Sequence, residues 1–87
     1  MNPTISNARQ LGSAIRTRRK ETQLTSTQAA SFARVSRRLL VEVEGGKRPN
    51  VGLSALIRIL DVLGLDLEVK ARSLPGTRST SGRWQEV

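Results

Sequence analysis

The segment that most constrains the fold is residues 25–46, TSTQAASFARVSRRLLVEVEGG, which carries start and stop signals for two short helices. Thr25 and Gln28 form a T-x-x-Q capping box, which predicts the start of the first helix. Ser36 is a natural N-cap for a second helix over residues 37–44. The glycine pair that follows supplies a stop, because one residue there usually needs a positive φ. Two short helices joined by a tight turn predict a helix-turn-helix unit.

The second of these helices begins with two positive charges, Arg37 and Arg38. The amino end of a helix already carries a partial positive charge and therefore favours acidic side chains. Placing two arginines there is unfavourable for the isolated helix. This arrangement indicates that an anion binds at the tip of the helix.

Helical spacing of apolar residues predicts two further helices. The first runs from residue 6 or 7 to about residue 22, and the other covers the segment LSALIRILDVLGL and ends at Gly64. We expect the inward stripe of that last helix to consist of Leu53, Leu56, Ile57, Leu60 and Leu63.

The carboxyl-terminal part of the chain changes character twice. The segment LDLEVK, residues 65–70, alternates apolar and charged side chains, which indicates a short strand. Residues 71–87 are rich in Ser, Thr, Gly, Pro and Arg and are expected to be disordered when free. We therefore expect a flexible N-terminus over residues 1–5, one domain over residues 6–70 and a disordered basic tail.

The composition disfavours several classes of protein. The chain has no cysteine, histidine or tyrosine, which removes disulfides, thiolate zinc sites and the commonest general base. We expect no enzymatic activity, no metal and no cofactor. Arg58 and Asp61 interrupt the longest apolar region, and the N-terminus resembles no signal peptide, so a cytoplasmic protein is expected, associated with the nucleoid when bound to DNA.

The net charge of +8 is unevenly distributed. Residues 1–48 hold ten Lys/Arg and three Glu, a net +7, whereas residues 49–70 carry a net −1. A basic half beside a neutral one is typical of a domain that binds a polyanion on one face. An acidic protein surface is an alternative partner. Single-stranded nucleic acid is disfavoured, because the chain has only one Phe and one Trp for stacking on bases.

The segment LTSTQAASFARVSRRLLVEVEGGKRP resembles the Xre/Cro-type helix-turn-helix of phage-repressor-like proteins. The segment PNVGLSALIRILDVLGLDLEVK that follows looks like HipB-type antitoxins, the DNA-binding partners of HipA kinases. The resemblance implies a mainly α, lambda-repressor-like domain of four to five helices, with a short C-terminal β-strand that pairs across a homodimer. It also implies an antitoxin that represses its own operon and binds a HipA-type kinase toxin. A stand-alone Xre-type transcriptional regulator, or a basic protein-interaction module, remains the alternative.

Two positions depart from the family pattern, and one pair follows it. Arg34 stands where the turn commonly has glycine, and Ser26 stands where the first helix of the unit usually begins with glutamine. An arginine in the left-handed region costs roughly 1 kcal/mol or more, unless the turn is built differently. The family pattern pairs Arg19 with Glu44 in a partly buried salt bridge between the first and third helices, so Arg19 is not assigned to DNA.

In a helix-turn-helix, the N-terminal residues of the second helix meet base edges in the major groove. Arg37 and Arg38 are the candidates for bidentate hydrogen bonds to guanine. Glu42 can accept a hydrogen bond from cytosine, or it can form a surface pair with Arg38 four residues earlier. Leu39 either touches a thymine methyl or packs against the domain, and the sequence leaves both open.

Phosphate contacts are expected from residues at helix starts and beyond the groove helix, where backbone amides and positive side chains face anions. These candidates are Ser26, Thr27, Gln28, Ser36, Lys47 and Arg48.

The predicted strand needs a partner, because one strand cannot satisfy its own backbone hydrogen bonds. Antiparallel pairing with a second copy answers this need and matches a palindromic operator. The expected dimerisation residues are Leu65, Leu67 and Val69, with Ile59 and Val62, which are expected to lie off the core stripe of their helix.

Trp84 is the lone tryptophan, and it lies in the polar tail. One interpretation is that an isolated aromatic is simply tolerated there. The other is that Trp84, flanked by Arg83, anchors the tail in a pocket of the kinase, since tryptophan is enriched among residues that carry most of the binding energy of an interface.

Overall fold

The computed structural model describes residues 4–71, which form four helices. They are α1, Ala8–Glu21; α2, Ser26–Ala33; α3, Arg37–Glu44; and α4, Leu53–Val62. The bounds of α3 are those predicted from its caps, and α2 and α3 are the two helices of the predicted unit. No helix among these residues is long and apolar enough to span a membrane.

Local capping hydrogen bonds start α1, α2 and α3. The Asn7 side chain accepts from the backbone of Gln10 at 2.8 Å. The Thr25 hydroxyl accepts from the Gln28 backbone at 3.1 Å, and the Gln28 side chain accepts in return from the Thr25 backbone at 3.0 Å. Ser36 accepts from the backbone of Leu39 at 3.0 Å. The capping box and the Ser36 N-cap are therefore confirmed.

Each of the four described helices is followed within two residues by a residue of positive φ. These residues are Gln23, Arg34, Gly46 and Gly64. The two backbone hydrogen bonds of a Schellman motif accompany each of these residues. Arg34 has φ 59° and ψ 42°, so the turn between α2 and α3 does place an arginine in the left-handed region. The cost of about 1 kcal/mol per non-glycine residue is accepted at this turn.

The core lies where the four helices meet. Its largest fully buried side chains are Ile15, Leu40, Ile59 and Leu63, one or more from α1, α3 and the end of α4. α2 contributes only alanines to this core, so α3 and α4 both pack closely against it. The complete buried apolar set is Ile15, Ala29, Ala30, Ala33, Leu40, Val43, Ile59, Leu60 and Leu63.

The inward face of α4 differs from the predicted one. Ile59 is 1% exposed, whereas Leu53 is 62% and Ile57 40% exposed. Leu60 and Leu63 are buried as predicted, but the expectation that Ile59 lies off the core stripe is wrong, and its burial in the single chain leaves almost none of its surface for the predicted dimer contact. Val62 is half-buried and packs against the same core. Apolar residues cover more than one face of α4, and packing against α2 selects the face that turns inward.

The structure describes the segment of the predicted strand, whereas the tail beyond residue 71 lies outside it. Residues 65–70 form no hydrogen-bonded strand with any other part of residues 4–71. The partner expected for this strand belongs to a second copy, so the pairing stays a prediction. Leu65 is half-buried, whereas Leu67 is 53% and Val69 95% exposed. The predictions for residues 72–87, Arg83 and Trp84 among them, lie outside the described residues.

Gly12 lets α1 approach the end of α3 closely. It is buried in the middle of α1, and a Cβ at this position would collide with the carbonyl oxygen of Val43 and lie 2.7 Å from that of Glu44. Both obstructing atoms are backbone oxygens, which cannot rotate away as a side chain can. Any side chain at Gly12 would therefore push α1 away from α3.

We predict that Gly12→Ala lowers the free energy of unfolding by about 2 kcal/mol or more, as overpacking does. The sign is informative, because Gly→Ala inside an exposed helix stabilises by roughly 0.5–1 kcal/mol. Urea denaturation followed by circular dichroism measures the change. The control is Gly45→Ala, since Gly45 has φ −84° and a Cβ there would lie 3.5 Å from its nearest neighbour. Equal stability of Gly12→Ala and the unmodified protein would show that the close contact is absent in solution.

Candidate nucleic-acid interface

α3 presents a narrow polar face opposite the core. Leu40 and Val43 point inward and are buried, while the side chain of Arg38 is 86% exposed. Val41 lies beside Arg38 and is 45% exposed. This outward face is the surface that a helix-turn-helix presents to the major groove.

Arg37 at the tip of α3 is tethered to the start of α2. Its Nε donates a hydrogen bond to the Ser26 hydroxyl at 3.2 Å. Ser26 therefore contacts a predicted base-reading residue, in addition to lying at the amino end of α2, where phosphate contact was predicted. The bond uses Nε and leaves the two terminal nitrogens of Arg37 as donors for a ligand.

Glu42 lies on the outward face of α3 and contacts two arginines, Arg38 on the same helix and Arg48 in the loop that follows. Its Oε1 accepts from Arg48, with Nε at 3.1 Å and Nη2 at 3.0 Å. Its Oε2 lies 3.5 Å from Nε of Arg38. The predicted Arg38–Glu42 surface pair is thus present, but the shorter contact joins Glu42 to Arg48, a candidate phosphate ligand. No local pattern predicted that contact, because Arg48 lies in the loop beyond the helix.

Leu39 is half-buried and packs against the core. Of the two interpretations left open by the sequence, packing is the one that these contacts support. A thymine contact by Leu39 stays a prediction.

The other candidate phosphate ligands lie at helix ends. Thr27, Gln28 and Lys47 are exposed. Gln28 uses its oxygen in the capping box, so its amide NH₂ remains to donate to an anion. Ser36 uses its oxygen as an acceptor for Leu39, and its hydroxyl hydrogen remains to donate.

Arg19 and Glu44 form the predicted salt bridge between α1 and α3. The pair is bidentate, with Nε to Oε2 at 2.6 Å and Nη2 to Oε1 at 3.0 Å, and the side chains are only 13% and 7% exposed. Arg19 Nη1 also donates to the carbonyl of Leu24 at 2.9 Å. The hydrogen bond to Glu44 raises the pKa of Arg19, against the opposing effect of burial. Arg19 is thus a structural residue, as the family pattern implied.

Two further arginines are occupied inside the domain, and sequence reasoning missed both. Arg58 on α4 donates from Nε to the Ala33 carbonyl at the end of α2, at 2.9 Å. Arg18 on α1 donates from Nε to the Leu63 carbonyl just after α4, also at 2.9 Å. Each places a positive charge at the carboxyl end of a helix, where the dipole favours it. Nothing in the local sequence marks these long-range contacts.

These features describe two short helices at a tight turn, with an exposed basic helix face anchored by structural arginines. A family model described as a helix-turn-helix domain matches residues 10–72. The chain belongs to this helix-turn-helix domain family. Comparison with curated proteins finds no match.

Membership confirms the coarse part of the resemblance, a helix-turn-helix of the Xre/Cro kind, and indicates a DNA-binding protein. The match covers all of α2, α3 and α4 and most of α1. The second helix of the helix-turn-helix unit, α3, is therefore the element expected in the major groove.

Proposed function

We propose that the protein is a sequence-specific repressor of transcription that binds double-stranded DNA through α3. The observation that carries the proposal is the outward face of α3. Arg38 extends into solvent with 86% of its side chain exposed, and Arg37 is held at the helix tip by Ser26. In a helix-turn-helix domain these positions meet base edges.

The chemistry of that face suits guanine. An arginine can donate two hydrogen bonds to guanine O6 and N7, and such a pair contributes roughly 1–3 kcal/mol of discrimination. Arg37 and Arg38 are the base-reading residues in this proposal. Thr27, Gln28, Ser36 and Lys47 contact phosphates, which position the domain without reading sequence.

We predict that Arg38→Ala abolishes the preference for an operator from upstream of the gene while the protein remains folded. Arg38 makes only one long ion pair within the described residues, so its removal does not disturb the core. Lys47→Ala is the comparison variant: it should weaken binding to all duplexes about equally and reduce the salt slope by about 1. Gel-shift titrations at several salt concentrations measure both. Operator affinity and specificity unchanged in Arg38→Ala would rule out this groove assignment. No duplex preference in the unmodified protein would favour the protein-interaction module.

We further propose that residues 65–70 pair with the same segment of a second copy and form a two-stranded dimer. Leu67 and Val69 are mostly exposed in the single chain, whereas Leu65 at the start of the segment packs against the core. Dimerisation would cover these apolar side chains and satisfy the backbone groups of the strand. A two-fold dimer would bind the two halves of a palindromic operator.

We predict that Val69→Asp converts the dimer to monomers and weakens operator binding, because each half-site then loses its linked neighbour. Val69 is 95% exposed in one protomer, so the monomer itself should keep its stability. Lys70→Asp introduces the same side chain on the opposite face of the strand and should leave the dimer intact. Analytical ultracentrifugation gives the mass of each species. A Val69→Asp protein that sediments as the unmodified dimer would contradict the strand pairing.

The finer assignment is an antitoxin that silences its own operon and binds a HipA-type kinase. It rests on the resemblance of residues 49–70 to HipB-type proteins, and a stand-alone Xre-type regulator is the alternative. We propose that the basic tail with Arg83 and Trp84 reaches a pocket on the kinase, since the folded domain already supplies the DNA-binding face.

We predict that removing residues 74–87 weakens binding to the kinase but leaves operator affinity within a few-fold and the melting temperature nearly unchanged. Trp84→Ala should reproduce the loss, and Gln85→Ala should not. Calorimetry with the purified HipA-type kinase encoded beside this gene provides the measurement. Equal affinity of the full-length and shortened proteins would exclude this role for the tail. Absence of such a kinase gene from the neighbourhood would favour the stand-alone regulator.

A further inference from the structure

We propose that Glu42 is a specificity determinant that acts through Arg48. In this proposal the carboxylate of Glu42 occupies the Arg48 guanidinium, which would otherwise bind the phosphates of any duplex. Glu42 therefore lowers the affinity for duplexes of any sequence, so that the base-reading arginines determine which duplex is preferred. The inference rests on the proposed DNA-binding function and concerns its selectivity.

The geometry of the pair supports this role. Two nitrogens of Arg48 lie 3.0 and 3.1 Å from the same carboxylate oxygen of Glu42. The side chains are 40% and 29% exposed, so the pair lies at the surface rather than in the core. For Arg48 to bind a phosphate, its guanidinium would have to move away from the Glu42 carboxylate, and separating these two opposite charges costs free energy.

The position of Glu42 on α3 makes its charge consequential. It is the only acidic side chain on the outward face of α3, since Glu44 is turned inward to Arg19. A bare carboxylate on that face would repel the phosphates on both sides of the groove. Arg48 offsets this repulsion from one side, and Arg38, whose Nε lies 3.5 Å from the other oxygen, offsets it weakly from the opposite side.

Electrostatic contacts to phosphate supply essentially all of non-specific binding. Each additional phosphate contact makes log K fall more steeply with log salt, by about 0.9 per contact. An Arg48 held by Glu42 adds little to this slope. An Arg48 released from Glu42 adds one contact for every duplex, whatever its sequence, and so reduces the ratio of specific to non-specific affinity.

The test is a salt titration on a duplex without operator sequence, using full-length protein with Glu42→Gln, with Glu42→Gln/Arg48→Gln, and with Asp66→Asn. Glutamine at position 42 and asparagine at position 66 keep the shape of the native side chain and remove its charge, whereas glutamine at position 48 is a shorter, uncharged polar replacement. Asp66→Asn removes one negative charge at an exposed position beyond α4 and controls for net charge. Circular dichroism confirms that each variant is folded.

For Glu42→Gln we expect a salt slope steeper by about 0.9 and several-fold tighter non-specific binding at low salt. The double variant should return to the slope of the unmodified protein, and Asp66→Asn should not change it. The proposal is overturned if Glu42→Gln keeps the original slope, if it merely matches Asp66→Asn, or if the double variant is flatter than the unmodified protein by about one contact. In that last case, Arg48 would already bind phosphate in the presence of Glu42.

The same measurements separate this inference from the proposed function. They use a duplex without an operator and need no preferred sequence. If the unmodified protein prefers no duplex, the proposed function fails, and the slopes still decide whether Glu42 restrains Arg48.

Discussion

The contact between α1 and the carboxyl end of α3 holds α3 in place. Gly12 brings the two backbones together, and the Arg19–Glu44 pair joins the same helices with two short hydrogen bonds. Removing one partner of a buried ion pair typically costs about 3–5 kcal/mol, because the remaining charge is left uncompensated. The free energy of unfolding of a native protein is typically only about 5–15 kcal/mol, so such a loss is a large fraction of it. The orientation of the outward face of α3 therefore depends strongly on this contact.

Two groups of arginines in the domain have different physical roles. Arg18, Arg19 and Arg58 donate to carbonyl or carboxylate oxygens of other elements and join the helices. Arg37 and Arg38 lie on α3, where one is tethered to Ser26 and the other extends into solvent. The net charge of +8 is therefore larger than the positive charge that is available to bind a polyanion. What matters for binding is which guanidinium groups the fold leaves without a carbonyl or carboxylate acceptor on another element.

Interactions within a few residues of each other were predictable. The capping box of α2 and the Ser36 cap of α3 each depend on backbone and side-chain groups three residues apart. The helix-turn-helix unit is made of such local signals, and so its bounds and its candidate base-reading residues could be read in advance. The Arg19–Glu44 pair was also anticipated, but through resemblance to the family rather than from the residues alone.

The amino-acid sequence by itself thus determined where the helices of the unit begin and end and which charges stand at the tip of α3. Only the tertiary structure decided that α4 turns Ile59 inward, that Gly12 is a point of contact and that Arg48 is held by Glu42. The reason is physical. Caps and turns are short-range hydrogen bonds encoded by neighbouring residues, whereas the buried face of a helix with several apolar sides, and the partner of a long flexible arginine, are chosen by what the rest of the chain packs beside them.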